Sequence, residues 1–352
     1  MKIVLSLLLA ISFGFAQSNL TSKNLTDKNL TEINSTKEIN STLEENVTIE
    51  EFNDIFKSIQ PTLNFAIMID KKKLYKFVPS IINSITTYFL SKGVEFSYEV
   101  FDINDDLTLI TNKYQTIFYI TTDKKSLQNL TTYSANFYIP TFNLNELDIF
   151  SPNLFFGGID FKLQVRTLSK YLADPKAVAI TDKNLFLSNQ LLKIEQNDLN
   201  VSITNYYYPN IPYWKLNNKY VFLNTSTPHT TKILGDITYH NINTKLQFST
   251  QINYSPLMIN LTQPDDVRKL LIANSIIDIP SDLRVYNELL NSDIKYNWLN
   301  YSLNTLANKA YKLSQGDEDS LLDDFNLYMF NNQVIYKAKL YQIINRGFKS
   351  IQ

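Results

Sequence analysis

The chain contains 352 residues, of which 44% are hydrophobic, 13% aromatic and 19% charged. This apolar content can offset the entropy of the chain, so a wholly disordered protein is excluded. The 33 basic and 34 acidic residues nearly cancel, which removes the electrostatic footprint of a dedicated nucleic-acid-binding protein. The length favours about two domains.

Residues 1–16 have the layout of a secretory signal peptide. The start is short and basic, residues 3–15 are mostly apolar, and Gly14 and Ala16 place small side chains ahead of a cleavage site. The alternative is a membrane anchor, but the run is shorter than the ~20 residues that span a bilayer. The signal peptide predicts a periplasmic mature chain. Because no later stretch reaches ~18 uninterrupted apolar residues, we expect this chain to have no transmembrane segment.

Residues 17–58 form a low-complexity tail rich in Asn and Thr, which we predict to be disordered. Asn-x-Ser/Thr triplets recur in this tail. An acidic residue stands two positions before the asparagine in four of them: Asn29, Asn34, Asn40 and Asn46. The pattern resembles the extended acceptor of bacterial periplasmic oligosaccharyltransferases and predicts N-glycosylation of the tail. Asn is frequent throughout the chain, so chance triplets are the alternative.

From residue 62 onward, short apolar runs alternate with segments of helical spacing. Strands are predicted at residues 63–69, 94–101, 116–121, 137–141 and 153–156. Helices are predicted at residues 71–91, 124–135 and 161–172. Asp123 is placed to cap the second of these helices. The stretch between residues 101 and 116 is interpreted as a connecting segment.

The alternation restarts at residue 177. Strands are predicted at residues 177–180, 199–204, 219–223, 245–250 and 270–273, with helices at 183–196 and 226–239. Two such runs predict an α/β fold of two doubly wound, Rossmann-like lobes with parallel sheets. Helices at 282–290 and 298–313 follow. Strands at 325–330 and 333–340 flank Asn331 and Asn332, which predict a C-terminal β-hairpin because asparagine tolerates positive φ.

Several stretches resemble the type I periplasmic binding proteins, the group that includes branched-chain amino-acid receptors. Residues 134–140 resemble the passage from a helix into a strand that ends in Ile-Pro. Residues 153–164 resemble the crossing into the second lobe, 177–182 the first strand of that lobe, and 301–312 the helix that returns to the first lobe. The resemblance covers about residues 60–345. The same fold occurs in periplasmic activators of penicillin-binding proteins.

The resemblance implies two lobes joined by a hinge. Lobe 1 would contain residues 59–174 and 281–345, and lobe 2 residues 175–280. A ligand would lie between the lobes, outside the carboxyl ends of the strands. The polar residues that follow the predicted strands there are Thr121, Thr122, Thr141, Asn143, Asp182, Ser226 and Thr227.

The chemistry of these residues suits a small polar solute such as a zwitterion, because hydroxyls, an amide and a carboxylate can fix its orientation. The alternative is that Asp182, Ser226 and Thr227 only cap helices. Residues 143–145 and 186–187 are larger than those that amino-acid receptors carry at these places. The sequence therefore predicts an altered cleft.

Catalytic and metal-binding patterns are missing from the sequence. It contains no Cys, two His and seven Gly, which argues against thiolate chemistry, metal sites and Gly-rich phosphate loops. His229 lies near Ser226, but the sequence places no acid beside it to complete a triad. We expect no cofactor, no metal and no enzymatic activity.

The resulting prediction is a periplasmic binding protein whose partner is a small polar solute or a periplasmic or inner-membrane protein. The alternative is a periplasmic interaction protein that regulates peptidoglycan synthesis without binding a small molecule.

Overall fold

The computed structural model describes residues 63–277 and 279–351. The predicted signal peptide, the predicted tail and the acceptors Asn29, Asn34, Asn40 and Asn46 lie outside the described residues. Phe65–Val94 and Glu99–Gln352 belong to one compact unit. Among the described residues, a second unit contains Leu63, Asn64 and Glu95–Tyr98, and within it the Leu63 N–H donates to the Glu95 carbonyl at 3.1 Å.

The first half of the described chain builds one sheet. Its strands are β1 (Leu63–Ile69), β2 (Phe96–Asp102), β3 (Thr116–Ile120), β4 (Asn136–Ile139) and β5 (Leu154–Phe156). Its helices are α1 (Lys71–Leu74), α2 (Val78–Ser91) and α3 (Leu107–Lys113). Residues 65–69 are fully buried and apolar, which is typical of a parallel strand covered on both faces.

The second half repeats the pattern. Helix α4 (Phe161–Ser169) precedes β6 (Lys176–Thr181), α5 (Phe186–Asp198), β7 (Ser202–Tyr207), β8 (Tyr220–Asn224), α6 (Thr227–Tyr239), β9 (Gln247–Ser249), α7 (Pro256–Leu261) and β10 (Leu270–Asn274). Strand β6 pairs in parallel with both β7 and β8, β8 with β9, and β9 with β10. The predicted doubly wound α/β organisation is confirmed.

The C-terminal part returns to the first sheet and then leaves it again. It contains α8 (Ser281–Leu289), α9 (Trp298–Ser314), β11 (Leu321–Leu322), β12 (Leu327–Phe330), β13 (Gln333–Ile335), β14 (Lys339–Ile344) and β15 (Gly347–Ser350). The first sheet has the order β11-β12-β13-β5-β4-β3-β1-β2, and the second β15-β14-β10-β9-β8-β6-β7. Asn331 and Asn332 form the predicted hairpin turn, with φ of 48° and 60°.

Two predicted boundaries differ from the structure. The run 333–340 was predicted as one strand, but it is broken after Ile335, and β14 pairs with β10 in the second sheet. The range 281–345 predicted for lobe 1 is therefore too long. Helix α4, predicted within lobe 1, packs against α5, β10 and β14 of the second sheet. The chain thus passes between the sheets three times: after β5, after β10 and after β13.

A ladder of polar side chains joins α2 to α9. On each helix the members are four residues apart, which places them on one face. Ser84 Oγ accepts from Asn304 Nδ2 at 2.7 Å, and the Tyr88 hydroxyl accepts from Asn308 Nδ2 at 2.7 Å. Asn300 Nδ2 donates to Ser80 Oγ at 3.0 Å. Because buried polar groups bond only at matching positions, this ladder sets the register of the two helices.

Candidate functional site at the carboxyl edges of the two sheets

The predicted residues of the first sheet lie directly after β3 and β4. Thr121 is fully buried, and its Oγ1 accepts from the Asp123 N–H at 3.0 Å. Asn143 is also buried; its Nδ2 donates to the Gly158 carbonyl at 3.2 Å, and its Oδ1 accepts from the Asn145 N–H at 2.9 Å. Both side chains therefore hold their own loops in place.

The other two predicted residues of this sheet are free of such contacts. Thr122 is exposed. The hydroxyl of Thr141 is buried, and it has no hydrogen-bond partner among the described residues. Buried hydroxyl groups are usually bonded, so an unpaired one next to a strand end is a candidate for a ligand contact.

On the second sheet, Asp182 follows β6 and contacts His229. Its Oδ2 lies 2.9 Å from His229 Nδ1, and its Oδ1 accepts from the Asn184 N–H at 3.0 Å. The expectation that no acid is placed beside His229 is therefore wrong. The two residues are far apart in the sequence, and only the parallel pairing of β6 with β8 brings their loops together.

Tyr208 completes this cluster from a third strand. It follows β7, and its N–H donates to the Thr181 carbonyl at 2.9 Å. The Tyr208 ring stacks on the imidazole of His229 with centroids 4.1 Å apart and planes 20° apart. Three neighbouring strands, β7, β6 and β8, thus each supply one member of an Asp182–His229–Tyr208 cluster, which sequence reasoning missed.

Ser226 and Thr227 begin helix α6. Ser226 occupies the N-cap position, but its side chain makes no capping hydrogen bond. Thr227 Oγ1 instead donates to the Ile252 carbonyl at 3.2 Å, which ties α6 to the segment after β9. The alternative of a simple side-chain cap thus fails for Ser226, while Thr227 has a structural role.

One hydrogen bond joins the carboxyl edges of the two sheets. Gln190 Nε2, on α5 of the second sheet, donates to Glu146 Oε1 at 3.0 Å. Glu146 lies in the loop after β4 of the first sheet, and its carbonyl accepts from Lys124 Nζ at 3.0 Å. Burial raises the pKa of the Glu146 carboxyl, partly countered by Lys124. The two edges therefore lie next to each other at this point.

A buried carboxyl lies beneath the second edge. Glu195 of α5 is fully buried, and both of its oxygens accept from Asn224 Nδ2, at 2.8 and 2.9 Å. Burial raises the pKa of Glu195 to about 8, although the Asn224 hydrogen bond lowers it. Since Asn224 ends β8, this carboxyl supports the strand from which the loop to α6 starts.

The described part of the chain contains neither a cluster of metal-ligating side chains nor a helix that could span a membrane. No group of three or more His, Cys, Asp or Glu side chains in residues 63–277 and 279–351 is arranged to hold a metal ion. Within the same residues, no helix combines the length and the apolar character needed to cross a bilayer.

Solved structures with the same fold are numerous. One is the branched-chain amino acid transporter substrate-binding protein LivJ from Streptococcus pneumoniae in complex with isoleucine; its TM-score is 0.57 at 11% identity, over 82% of this chain and 98% of that one. An extracellular ligand binding receptor from Desulfohalobium retbaense gives a TM-score of 0.60 at 10% sequence identity, and the match covers 82% of this chain and 59% of the receptor. Haemophilus influenzae LpoA gives a TM-score of 0.54 at 12% sequence identity, and the match covers 84% of this chain and 59% of LpoA.

These similarities show that the chain has the fold of the type I periplasmic binding proteins, as the sequence resemblance implied. The chain spans little more than half of the second and third of these proteins. No family model and no curated protein matches the sequence.

Proposed function

We propose that the chain is a periplasmic, non-enzymatic binding protein that takes a small polar solute between its two sheets. The observation that carries this proposal is the hydrogen bond between Gln190 and Glu146, because it makes the two carboxyl edges neighbours. In open α/β sheets, ligands bind outside the carboxyl ends of the strands. The shared fold with solute-binding proteins such as LivJ supports the same location.

The residues proposed to contact the solute are those with polar atoms left over by the fold. They are Thr122 and Thr141 on the first sheet and Ser226 on the second, while Asp182 would act through His229, which its carboxylate contacts. Thr121, Asn143 and Thr227 would act indirectly, because their hydroxyl and amide groups already hold loops. A solute that contacts both edges favours the state in which they are close, which is the physical basis of lobe closure.

A thermal-shift screen with amino acids, carboxylic acids and other small solutes tests this proposal. A solute at about 100 times its dissociation constant should stabilise the protein by about 2.7 kcal/mol, which is seen as a higher melting temperature. Thr141→Val should reduce the shift, while Thr132→Val at an exposed position should leave it unchanged. A melting temperature that no solute raises would contradict the proposal.

The second candidate is an interaction protein that regulates peptidoglycan synthesis. The observation that favours it is the exposure of aromatic side chains on the second half of the chain: Trp214 is 72% exposed and Tyr239 is 81% exposed. Aromatic residues are enriched where proteins contact each other. Absence of any solute response, together with co-purification of a penicillin-binding protein from the native host, would favour this function.

The proposed periplasmic location depends on residues 1–16 acting as a signal peptide. The proposed glycosylation depends on sugars being attached to Asn29, Asn34, Asn40 and Asn46. Mass spectrometry of tryptic fragments from the native host should find a chain that starts at Gln17 and sugars on these asparagines. Fragments with four unmodified asparagines would contradict the glycosylation.

A further inference from the structure

We infer that Asn200, in the turn between α5 and β7, is an N-glycosylation site in the folded part of the chain, recognised together with Asp198 and Ser202. Residues 198–202 read Asp-Leu-Asn-Val-Ser, which is the acidic acceptor pattern that recurs in the tail. The inference goes beyond the proposed function, because it concerns a modification at the end of the second sheet that lies away from the proposed solute.

The structure places Asn200 outside the sheet. The sequence predicts a strand over residues 199–204, in which the asparagine would belong to the ladder. In the structure α5 ends at Asp198 and β7 begins at Ser202, so Asn200 lies in the turn between them. Asn200 is exposed, and its side-chain amide makes no hydrogen bond to any residue that the structure describes. The fold therefore leaves Nδ2, the atom that would carry the sugar, unengaged.

Burial excludes three other Asn-x-Ser/Thr triplets of the described chain. Asn224, Asn253 and Asn300 are each at most 1% exposed. The Nδ2 atom of each donates to a neighbouring side chain: Asn224 to Glu195, Asn253 to Ser249 and Asn300 to Ser80. A transferase cannot reach these amides without unfolding the core that holds them.

Two further triplets are exposed but lack the acid. Asn129 lies in a 3-10 helix over Lys124–Thr132, and Asn260 lies in α7. The residues two positions before them are Leu127 and Met258, both fully buried. Among the triplets of the described residues, Asn200 alone combines an exposed amide with a carboxylate at that position. Asn129 and Asn260 are therefore internal controls.

The acid can be recognised without opening the core. Asp198 Oδ1 lies 2.7 Å from Lys162 Nζ and 3.8 Å from an Arg166 guanidinium nitrogen. These basic side chains are 46% and 58% exposed, and such ion pairs contribute little to stability because water screens the charges. A transferase can therefore replace them as the partner of Asp198.

The residues on either side of the turn can also adopt an extended form. Ser202 is exposed and begins β7, which is the last strand of the second sheet and pairs only with β6. Leu199, directly after α5, already has extended backbone, with φ of −102° and ψ of 132°. The ends of helices and strands open at a lower free energy than their centres. A five-residue acceptor can thus enter a transferase while the sheet stays folded.

The modification is a glycosyl transfer from an oligosaccharide linked to a polyprenyl diphosphate. A bond forms between Asn200 Nδ2 and the anomeric carbon of the first sugar, and Nδ2 gives up one proton to a base of the transferase. The bond between that carbon and the diphosphate oxygen breaks, and the polyprenyl diphosphate leaves with the bonding electrons. No oxidant or reductant is needed.

A sugar at Asn200 would shield a free sheet edge and leave the proposed solute site open. Edge strands such as β7 carry unpaired N–H and C=O groups that can pair with another chain. Asn200 precedes the amino end of β7, and Tyr207 at the carboxyl end is about 20 Å further along the strand. The bulky group therefore lies at the edge opposite to the one proposed to contact the solute.

The test uses the purified, folded full chain with a purified bacterial oligosaccharyltransferase that acts on the acidic acceptor, and its lipid-linked donor. A synthetic acceptor peptide in the same tube shows that the enzyme is active. Trypsin releases residues 194–215, which contain Asn200 and no other triplet. Mass spectrometry should find this peptide heavier by one oligosaccharide, while the peptides that contain Asn129 and Asn260 keep their masses.

Variants test the roles of the two flanking side chains. Asp198→Asn and Ser202→Ala should each slow the modification of Asn200 by at least about tenfold, because a hydrogen bond to the transferase is lost. Asp198→Glu and Ser202→Thr should restore it. Asp174→Asn is the matched control: it removes another exposed ion pair, with Lys245, and should leave the rate unchanged. Circular dichroism establishes that each variant is folded.

Three results would overturn the inference. The first is an unmodified Asn200 in a tube where the synthetic acceptor is modified. The second is modification of Asn129 or Asn260 at the rate of Asn200, because the acid would then select nothing. The third is an unchanged rate in Asp198→Asn. Sugars on the tail asparagines are measured in the same digest and decide only the proposal made for the tail.

Discussion

Replacement of Glu195 by glutamine should remove a large pH dependence of stability. The carboxyl is fully buried against Asn224, and burial raises its pKa from 4.5 to about 8. A pKa that is higher in the folded than in the unfolded chain means that the folded chain holds the proton more tightly. The contribution to stability is therefore fully present below about pH 4.5 and is lost as the pH rises to about 8.

The magnitude follows from the interval between the two pKa values. Each pH unit changes the free energy of unfolding by about 1.4 kcal/mol while the unfolded chain is ionised and the folded chain is not. Over about 3.5 pH units the loss amounts to about 5 kcal/mol. Glutamine keeps an oxygen that can accept from Asn224 Nδ2 and never ionises, so Glu195→Gln should not suffer this loss.

Urea unfolding followed by circular dichroism at pH 5, 6, 7, 8 and 9 measures the effect. The parent and Glu195→Gln should have similar unfolding free energies at pH 5 and diverge as the pH rises, with the variant more stable. Glu288→Gln makes the same change on an exposed helix position and should follow the parent. Parallel curves for the parent and Glu195→Gln would refute the reasoning, because they would show that Glu195 takes part in no proton-linked loss of stability.

Two further predictions concern the packing. In Asn308→Ala, the Tyr88 hydroxyl and Asp324 Oδ2 lose the Asn308 amide that donates to each at 2.7 Å, so the free energy of unfolding in urea should fall by about 2 kcal/mol. Asn129→Ala, at an exposed position, should not change this free energy. An equal effect of the two substitutions would contradict the role of the ladder. In Gly158→Ala the new Cβ would lie 2.1 Å from the Phe142 carbonyl carbon, so we expect poor folding or a loss above about 3 kcal/mol. Gly235→Ala in α6 meets no atom within 4 Å and should gain about 0.5–1 kcal/mol in the same assay. Equal free energies of unfolding for the two glycine variants would exclude the predicted clash.

The strands could be predicted because buried parallel strands are short runs of apolar residues. Strand β1 was predicted at residues 63–69, and the structure has Leu63–Ile69. Helix α3 was missed because seven residues contain too few apolar positions to show a helical period. The break at residues 336–338 was missed for the opposite reason. Tyr336 is buried, and its hydroxyl donates to the Gly157 carbonyl at 2.7 Å, so a strand-forming apolar residue stands at the break although the chain changes sheets there.

The site was harder to predict than the fold, because its contacts join residues that are distant in the sequence. The rule that ligands lie at the carboxyl ends of strands selected Asp182 and Ser226, but it could not show that Asp182 engages His229. The polar ladder was missed for a related reason. Asparagine is so frequent in this chain that Asn300, Asn304 and Asn308 look like surface residues until their partners on α2 are known.

The three crossings between the sheets are anchored by side-chain hydrogen bonds. The Gly157 carbonyl, after β5, accepts from Ser302 Oγ at 2.6 Å and from Tyr336 OH, which joins the first crossing to the third. Gln164 Nε2, on α4, donates to Gln251 Oε1 at 2.6 Å and to Ser275 Oγ at 3.0 Å, which joins α4 to the second crossing.

Such directional bonds tolerate little displacement, since they weaken steeply when stretched or bent. Any rotation of one sheet against the other must therefore take place in the backbone between these anchors. The first crossing leaves residues 159 and 160 for this, because the Gly158 N–H donates to the Phe142 carbonyl in the loop after β4 and α4 is bonded to the second sheet. The closure over a solute that we propose would thus require little change in the packing of either sheet, because the free energy of the solute's contacts with the two edges would act on this short backbone segment.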